Sequence, residues 1–208
     1  MNFKIAYQGR PGAYSHLACI KAFPKSIPVA CETFEEVFEK THNKKTDISF
    51  IPVENSQAGR VADIHNLLPQ TKLVITGEFF FKIDHQLIGV KDTSLEKIKF
   101  AISHFHALAQ CREFLQNNNI KAKLGTDTAG AAEDLSKKGY KDTAAIASSL
   151  AAEIYDLKIL KKNIQDAHHN TTRFFIMKDK LEEKKIEGVI YITSFIFKVR
   201  NMPSALYK

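Results

Sequence analysis

A polar segment at residues 166–175 carries the side chains best suited to chemistry. It reads D-A-H-H-N-T-T-R-F-F and contains an amide, two hydroxyls and a guanidinium in a row: Asn170, Thr171, Thr172 and Arg173. An arginine fork beside hydroxyl and amide groups can hold a small carboxylate and donate hydrogen bonds to it. The same residues also suit a capped loop whose arginine faces solvent, so the surrounding elements have to distinguish the two.

The composition predicts an ordinary globular protein, with 44% hydrophobic and 25% charged residues in a chain of 208. No apolar run approaches the ~20 residues that a membrane span needs. The start turns polar at Gln8-Gly9-Arg10, too early for a signal peptide. Cys19, Cys31 and Cys111 are scattered outside any C-x-x-C pattern, which favours buried small side chains over disulfides or zinc. We therefore expect a cytoplasmic protein without a metal site.

The net charge of +7 raises the question of nucleic-acid binding. However, the lysines are spread along the chain, and the densest runs, Lys161-Lys162 and Lys184-Lys185, are short. No RNP, zinc-finger or basic-heptad pattern is present. A modest positive field that attracts small anions is the better interpretation.

Strand and helix patterns alternate along most of the chain. A strand at Phe3–Tyr7 meets a glycine loop at residues 8–12 and then a helix at Ala13–Phe23. A second strand at Asp47–Val53 ends in the polar run E-N-S-Q-A-G-R at residues 54–60. In open α/β sheets, ligands bind at the edge where strands lead into helices. The recurrence of small polar groups there predicts a site at that edge.

A long alternating run at Leu73–Val90 separates two such sets of units. It exceeds the usual strand length of ~5–6 residues, which favours a segment that crosses between two lobes. His85 within it suits either a core or a cleft position. Further strand–helix units between residues 99 and 164 predict an α/β fold with mainly parallel sheets.

Five ordered motifs between about Phe3 and Lys178 resemble the prephenate dehydratase family. They are Q-G-R-P-G-A-Y-S-H-L-A at 8–18, I-P-V-E-N-S-Q-A-G-R-V-A-D-I-H at 51–65, S-H-F-H-A-L-A-Q-C at 103–111, D-T-A-G-A-A at 127–132 and N-T-T-R-F at 170–174. Their order and spacing are more specific than any single motif, and the last is the family's signature. The resemblance implies two α/β lobes with a cleft between them, like type II periplasmic binding proteins. It places lobe 1 at about 1–77 and 165–178, and lobe 2 at about 78–164, within a catalytic domain of residues 1–178.

The family converts prephenate to phenylpyruvate with loss of carbon dioxide and water, in phenylalanine biosynthesis, without a metal or organic cofactor. By resemblance, Thr172 is its essential threonine. The other matched positions are expected to bind substrate in the cleft: Asn55, Ser56, Gly59, Ser103, His104, Thr128, Asn170, Arg173 and Phe174. On this hypothesis Arg173 anchors one carboxylate, and Thr172 donates a hydrogen bond to the leaving hydroxyl. The second carboxylate is lost where water is poor and counter-charge is weak.

The sequence departs from the family pattern in two places. Phe105 and His106 stand where proline and glutamine are common, and we do not expect His106 to be catalytic. After a charged linker at 179–188, residues 189–208 resemble only the beginning of the ACT domain that usually follows. The segment with the family's effector motif is absent from this sequence. The resemblance therefore does not extend to regulation by phenylalanine, and a homodimer is expected to be weakened or altered.

Three alternatives stay open at this point. Arogenate dehydratase shares the motifs and differs in preferring an amine to a keto group. A non-catalytic two-lobed protein that binds small anions would have the same layout, although Thr172 within N-T-T-R-F argues against it. The third alternative is an inactive remnant that exposes the apolar segment at 189–199.

Overall fold

The computed structural model describes residues 3–180 and, beyond them, positions 190, 202 and 204. The predicted linker, apart from its first two residues, and the predicted ACT fragment, apart from those three positions, lie outside the described residues. Within residues 3–180 the strands are β1 (Lys4–Gln8), β2 (Ile27–Cys31), β3 (Ile48–Asn55), β4 (Gly59–Arg60), β5 (Val74–Lys82), β6 (Gln86–Gly89), β7 (Phe100–Ser103), β8 (Lys121–Leu124), β9 (Thr143–Ala147), β10 (Lys158–Lys161) and β11 (Thr171–Lys178). The helices are α1 (Tyr14–Ala22), α2 (Phe34–His42), α3 (Ala62–Leu67), α4 (Phe105–Ala109), α5 (Arg112–Asn117), α6 (Thr128–Lys138) and α7 (Ser149–Ile154). None of the helices in the described part of the chain has the length and apolarity to cross a membrane.

The strands form two sheets, one in each lobe, which confirms the two-lobed α/β prediction. The first sheet has the order β2-β1-β3-β11-β5, with β4 paired to β3, and the second has the order β10-β6-β9-β7-β8. The expectation of mainly parallel sheets is wrong, because both sheets are mixed. β11 runs antiparallel to β3 and β5, and β6 runs antiparallel to β9 and β10. The strands that leave and re-enter a lobe lie side by side, so they run in opposite directions.

The long alternating run at Leu73–Val90 is two strands that belong to different sheets. β5 extends the first sheet to Lys82, and β6 begins the second sheet at Gln86. The chain returns to the first lobe between β10 and β11. Two backbone hydrogen bonds join the crossing segments: Ile83 N–H donates to Asn170 O at 2.8 Å, and Ile164 N–H donates to His85 O at 3.0 Å. The crossing is thus a short paired ribbon.

The two lobes have different cores. One face of the first sheet packs aromatic rings, with Phe50 and Phe174 stacked at 4.5 Å between ring centroids and Phe79 beside them. In the second lobe β9 is buried at every position and reads T-A-A-I-A, and alanines of α6 and α7 pack against it. The three cysteines are buried and unpaired, as expected. Burial raises the pKa of the Cys19 thiol to about 12.

Candidate active site

The amide of Asn55 organises the polar groups where the first lobe meets the crossing. Asn55 ends β3, and its Oδ1 accepts the backbone N–H groups of Gln57 and Ala58 at 2.9 and 2.8 Å. These bonds orient the side chain, so its Nδ2 donates to Asn170 Oδ1 at 2.8 Å and to Thr172 Oγ1 at 2.9 Å. Because the Thr172 oxygen accepts this bond, its own hydrogen is available to a ligand. No described residue accepts that hydrogen within hydrogen-bond distance.

A chain of hydrogen bonds between uncharged side chains continues from Asn170 into the second lobe. Asn170 Nδ2 donates to Gln110 Oε1 at 2.9 Å, and the same oxygen lies 2.7 Å from His85 Nε2. An amide oxygen only accepts, so Nε2 carries the ring hydrogen and Nδ1 accepts from the Tyr14 hydroxyl at 2.6 Å. Burial lowers the pKa of His85, against the opposing effects of Gln110 and Asp84, which agrees with the neutral ring that these two bonds require.

Sequence patterns did not reveal Gln110 or Tyr14 as partners of this site. The chain does not continue as one helix here, because α4 ends at Ala109 and α5 begins at Arg112. At this break the backbone carbonyl of Gln110 accepts a hydrogen bond from Asp166 N–H at 2.7 Å. A cavity of about 270 Å³ opens beside Gln110 and Asn170 and is also lined by His106. The sequence suited His85 to either a core or a cleft position. The structure buries it, and its ring links Tyr14 to Gln110.

Thr172 and Arg173 lie on opposite faces of β11, although both were expected in one cleft. Thr172 is opposite Asn55, and Arg173 is opposite Glu54 in the strand register. The Arg173 guanidinium bonds Glu78 at 2.7 Å and Glu54 at 3.1 Å. Burial alone would lower the pKa of Arg173, and its bonds with the two glutamates raise it. The expected carboxylate anchor is therefore already neutralised on the other side of the strand.

Three further expected residues support the first-lobe wall. Phe174 is 1% exposed and stacks on Phe50 in the core, so it supports the strand without surface for a ligand. The Ser56 hydroxyl donates to His169 O at 2.8 Å and accepts from Thr171 N–H at 3.0 Å, which fastens the β3–β4 turn to β11. Gly59 completes that turn with a φ of +82°.

The second-lobe positions lie where strands lead into helices. Ser103 is fully buried at the end of β7 and donates to Ile146 O at 2.6 Å, so it braces the sheet. His104 is exposed and caps α4, with its Nδ1 accepting from His106 N–H at 3.3 Å. Desolvation and the neighbouring His106 lower the pKa of His104, against an opposing effect of Asp127. Thr128 opens α6 immediately after that aspartate caps it.

The loop between β1 and α1 forms a direct contact between the lobes, which we call the clasp (residues 9–12). The Ser148 hydroxyl donates to Gly12 O at 2.6 Å, and the Tyr155 hydroxyl donates to Pro11 O at 2.8 Å. Gly12 has a φ of +87°, and a Cβ built there would lie 2.9 Å from the Ala151 Cα. The glycine therefore permits both the turn and the close approach.

Arg10 adds an ionic part to the clasp. Its guanidinium lies 2.8 Å from Glu133 and 3.5 Å from Asp127, both on the second lobe. These pairs are solvent-exposed, so each contributes little stability. Their effect is orientation, because they tie the loop to the beginning of α6, beside Thr128.

Comparison with known proteins identifies the family. The family model for prephenate dehydratase matches residues 5–182. A bifunctional N-acyl-homoserine lactone acylase/prephenate dehydratase of Komagataeibacter europaeus is 42% identical over 98% of this chain and 73% of its own length. Arogenate dehydratase/prephenate dehydratase 1 of Arabidopsis thaliana, a chloroplastic protein, is 40% identical over 99% of this chain, which spans only 52% of that relative. A solved structure described as a novel type of quorum quenching acylase, GqqA, has a TM-score of 0.83 at 37% identity, covering 99% of this chain and 74% of its own. With more than four fifths of its length matched by the family model, the chain belongs to the prephenate dehydratase family.

Proposed function

We propose that this chain is a prephenate dehydratase, a carbon–oxygen lyase that converts prephenate to phenylpyruvate. The observation that carries the proposal is the hydrogen bond from Asn55 to Thr172 Oγ1, which leaves the threonine hydroxyl as a donor. The same Asn55 nitrogen bonds Asn170, which lines the cavity. In the reaction the bond between the ring and its carboxylate breaks together with the ring C–O bond. The electron pair of the first bond enters the ring, which becomes aromatic as the pair of the C–O bond leaves with oxygen. One proton is consumed, and carbon dioxide and water leave.

Thr172 stabilises the departing oxygen. A threonine hydroxyl is a weak acid, so it acts by donating a hydrogen bond as charge develops, while a water molecule relays the proton. The Asn55 amide supports this role because it fixes the Thr172 oxygen and polarises its O–H bond. Aromatisation supplies driving force, which makes positioning the main task of the protein.

The surroundings of Thr172 suit the loss of a carboxylate. Its side chain accepts from the Asn55 amide, which also bonds Asn170, and Asn170 in turn bonds Gln110. All three amides are uncharged. A carboxylate beside such groups lacks a strong counter-ion that would stabilise it before it is lost. The retained carboxylate binds at the opposite wall, near His104 and the free N–H groups that begin α6 at Thr128. Ser103 and Phe174 are buried within the walls, whereas Ser56, Gly59 and Arg173 line a second cavity of about 250 Å³.

Arogenate dehydration is the second candidate, because the Arabidopsis relative carries both names. The two substrates differ only in a keto or amino group. The purified chain is incubated separately with prephenate and with arogenate, and phenylpyruvate or phenylalanine is quantified by chromatography. N-acyl-homoserine lactone is a third arm, because the Komagataeibacter relative's name includes that acylase.

Substitutions at Thr172 test the mechanism within the same assay. Thr172→Ala should lower kcat by about 10²–10³-fold, the usual effect of losing one positioned donor, and Thr172→Ser should restore part of it. Thr171→Ala is the matched control, because its side chain projects from the other face of β11. Near-normal turnover by Thr172→Ala would contradict the role of Thr172 as donor to the leaving oxygen. Binding of either dehydratase substrate without turnover by the parent would favour a binding protein.

A further inference from the structure

The hydrogen bonds that lead to Gln110 from the first lobe have only one consistent direction. The Asn55 oxygen accepts two backbone N–H groups, so the Asn55 nitrogen donates to Asn170 Oδ1. The other end of that amide, Asn170 Nδ2, then donates to Gln110 Oε1 at 2.9 Å. A backbone N–H group can only donate. The β3–β4 turn therefore fixes the orientation of each amide as far as Gln110.

Tyr14 fixes the same orientation from the other end. Its hydroxyl oxygen lies 2.6 Å from His85 Nδ1 and 3.5 Å from Asp84 O. If the hydroxyl accepted from the ring, its own hydrogen would be left with the distant carbonyl, so donation to Nδ1 is favoured. The ring hydrogen of His85 then lies on Nε2, which donates to Gln110 Oε1 at 2.7 Å. Both ends of the network thus make this oxygen the acceptor.

The ring of His85 is a fixed connector between Tyr14 and Gln110. It is 3% exposed and packs edge-on against the Tyr14 ring, with 5.3 Å between the centroids. The His85 backbone is held as well, because its N–H donates to Gln165 Oε1 at 2.9 Å and its carbonyl accepts from Ile164 N–H at 3.0 Å. The position of the Nε2 hydrogen is therefore set by residues around the crossing.

The amide nitrogen of Gln110 is open to the cavity. The Gln110 oxygen takes both hydrogen bonds, from His85 and from Asn170. Among the described residues no acceptor lies within hydrogen-bond distance of the nitrogen, and none of their buried side-chain nitrogens or oxygens lacks a partner. The nitrogen is therefore not buried. Since Gln110 lines the cavity of about 270 Å³, its two amide hydrogens are presented there.

We propose that Tyr14 and His85 are positioning residues of the dehydratase site and act through Gln110. Tyr14 selects the ring tautomer, and His85 holds the Gln110 oxygen, so the amide hydrogens are directed at bound substrate. A donor that is oriented in advance does not have to reorganise as charge develops on a substrate oxygen. Neither Tyr14 nor His85 lines the cavity. The inference rests on the dehydratase function proposed above.

Steady-state kinetics of variants of the full chain test the connection. Tyr14→Phe keeps the ring but loses the hydroxyl, and should lower kcat/KM by about three- to fivefold. His85→Leu removes the donor to Gln110 and should lower kcat/KM by about tenfold. His85→Gln supplies an N–H near the position of Nε2 and should recover part of that loss, which a merely structural role would not produce. Tyr140→Phe is the matched control, because Tyr140 is 52% exposed and should keep the parent value.

A double-mutant cycle shows whether the effect passes through Gln110. In a Gln110→Leu background, which keeps Thr172 and its residual turnover, Tyr14→Phe should change kcat/KM by less than about twofold, because the amide that it orients is gone. Equal losses in both backgrounds would overturn the proposal. So would an active parent whose Tyr14→Phe and His85→Leu variants match it. A parent that turns over neither prephenate nor arogenate would instead refute the dehydratase function, and the positioning role with it.

Nitrogen-15 NMR of the imidazole rings tests the orientation without turnover. The His85 signals are identified by their absence from the spectrum of His85→Gln. In the parent, the neutral ring should carry its hydrogen on Nε2, with Nδ1 free to accept from Tyr14. A hydrogen on Nδ1 would reverse the Gln110 amide and overturn the proposal, whatever the activity of the chain.

Discussion

Asn55 and Thr172 face each other across β3 and β11, and the asparagine nitrogen donates to the threonine oxygen at 2.9 Å. The direction of this bond matters more than its strength. An oxygen that already accepts a hydrogen bond presents its own hydrogen elsewhere. The chain thereby converts an ordinary hydroxyl into an oriented donor.

Asn55→Asp tests that direction with almost no change of shape. A carboxylate accepts where the amide donated, so it would capture the Thr172 hydrogen and leave Asn170 facing a second acceptor. We expect kcat to fall by about 10²-fold or more with a smaller change in KM. Asn66→Asp adds the same charge at an exposed position of α3, outside the cavity, and should retain most activity. Equal losses in both variants would point to charge alone.

Gly12→Ala should weaken the clasp. The substitution adds left-handed backbone strain of about 1 kcal/mol and forces a Cβ against the Ala151 Cα, which costs about 1–3 kcal/mol more. Gly139→Ala is the control, since Gly139 also has a positive φ but no atom within 4 Å of the added Cβ. Denaturant titration should show a clearly larger loss for Gly12→Ala. Matching losses would mean that the close approach carries no energy.

Arg173→Gln should lower the stability of the fold more than it weakens substrate binding. It removes the bonds to Glu54 and Glu78 and leaves two neighbouring carboxylates without their cation, a cost of about 1–3 kcal/mol. The melting temperature should therefore fall, while KM should stay within about twofold of the parent. Arg60→Gln changes the same charge at an exposed position of β4. A large rise in KM at unchanged stability would restore Arg173 as a carboxylate anchor.

The stability of the fold should depend on the charge state of His85. Burial holds its folded pKa below the ordinary value of 6.5, so in mildly acidic solution the unfolded chain binds a proton that the folded chain does not. The free energy of unfolding should fall as the pH drops from about 6.5 toward the folded pKa. His85→Gln removes this titration and should flatten that slope, measured by denaturant titration between about pH 7.5 and about pH 5. Parallel pH profiles for parent and variant would contradict it.

Local periodicity predicted the first βα unit and the lobe crossing because each depends on neighbouring residues. β2 was not predicted, because it contains Pro28 and proline argues against a strand. The structure places β2 at the edge of the sheet, where a proline is tolerated. The separation of Thr172 from Arg173 follows from strand alternation, yet the shared motif suggested a shared site. The Gln110 contacts could not be predicted, since they depend on a helix break and on residues far away in sequence.

The unequal cores of the two lobes have a consequence for how the protein can vary. Side chains in β9 and the adjoining helices are mostly alanines, so there is little to truncate and almost no room to enlarge. The aromatic core around Phe50 and Phe174 has the opposite character, since removing a ring leaves a large void. Sequence drift in the second lobe is therefore limited by crowding and in the first by loss of volume. The two walls of one cleft can tolerate different kinds of substitution.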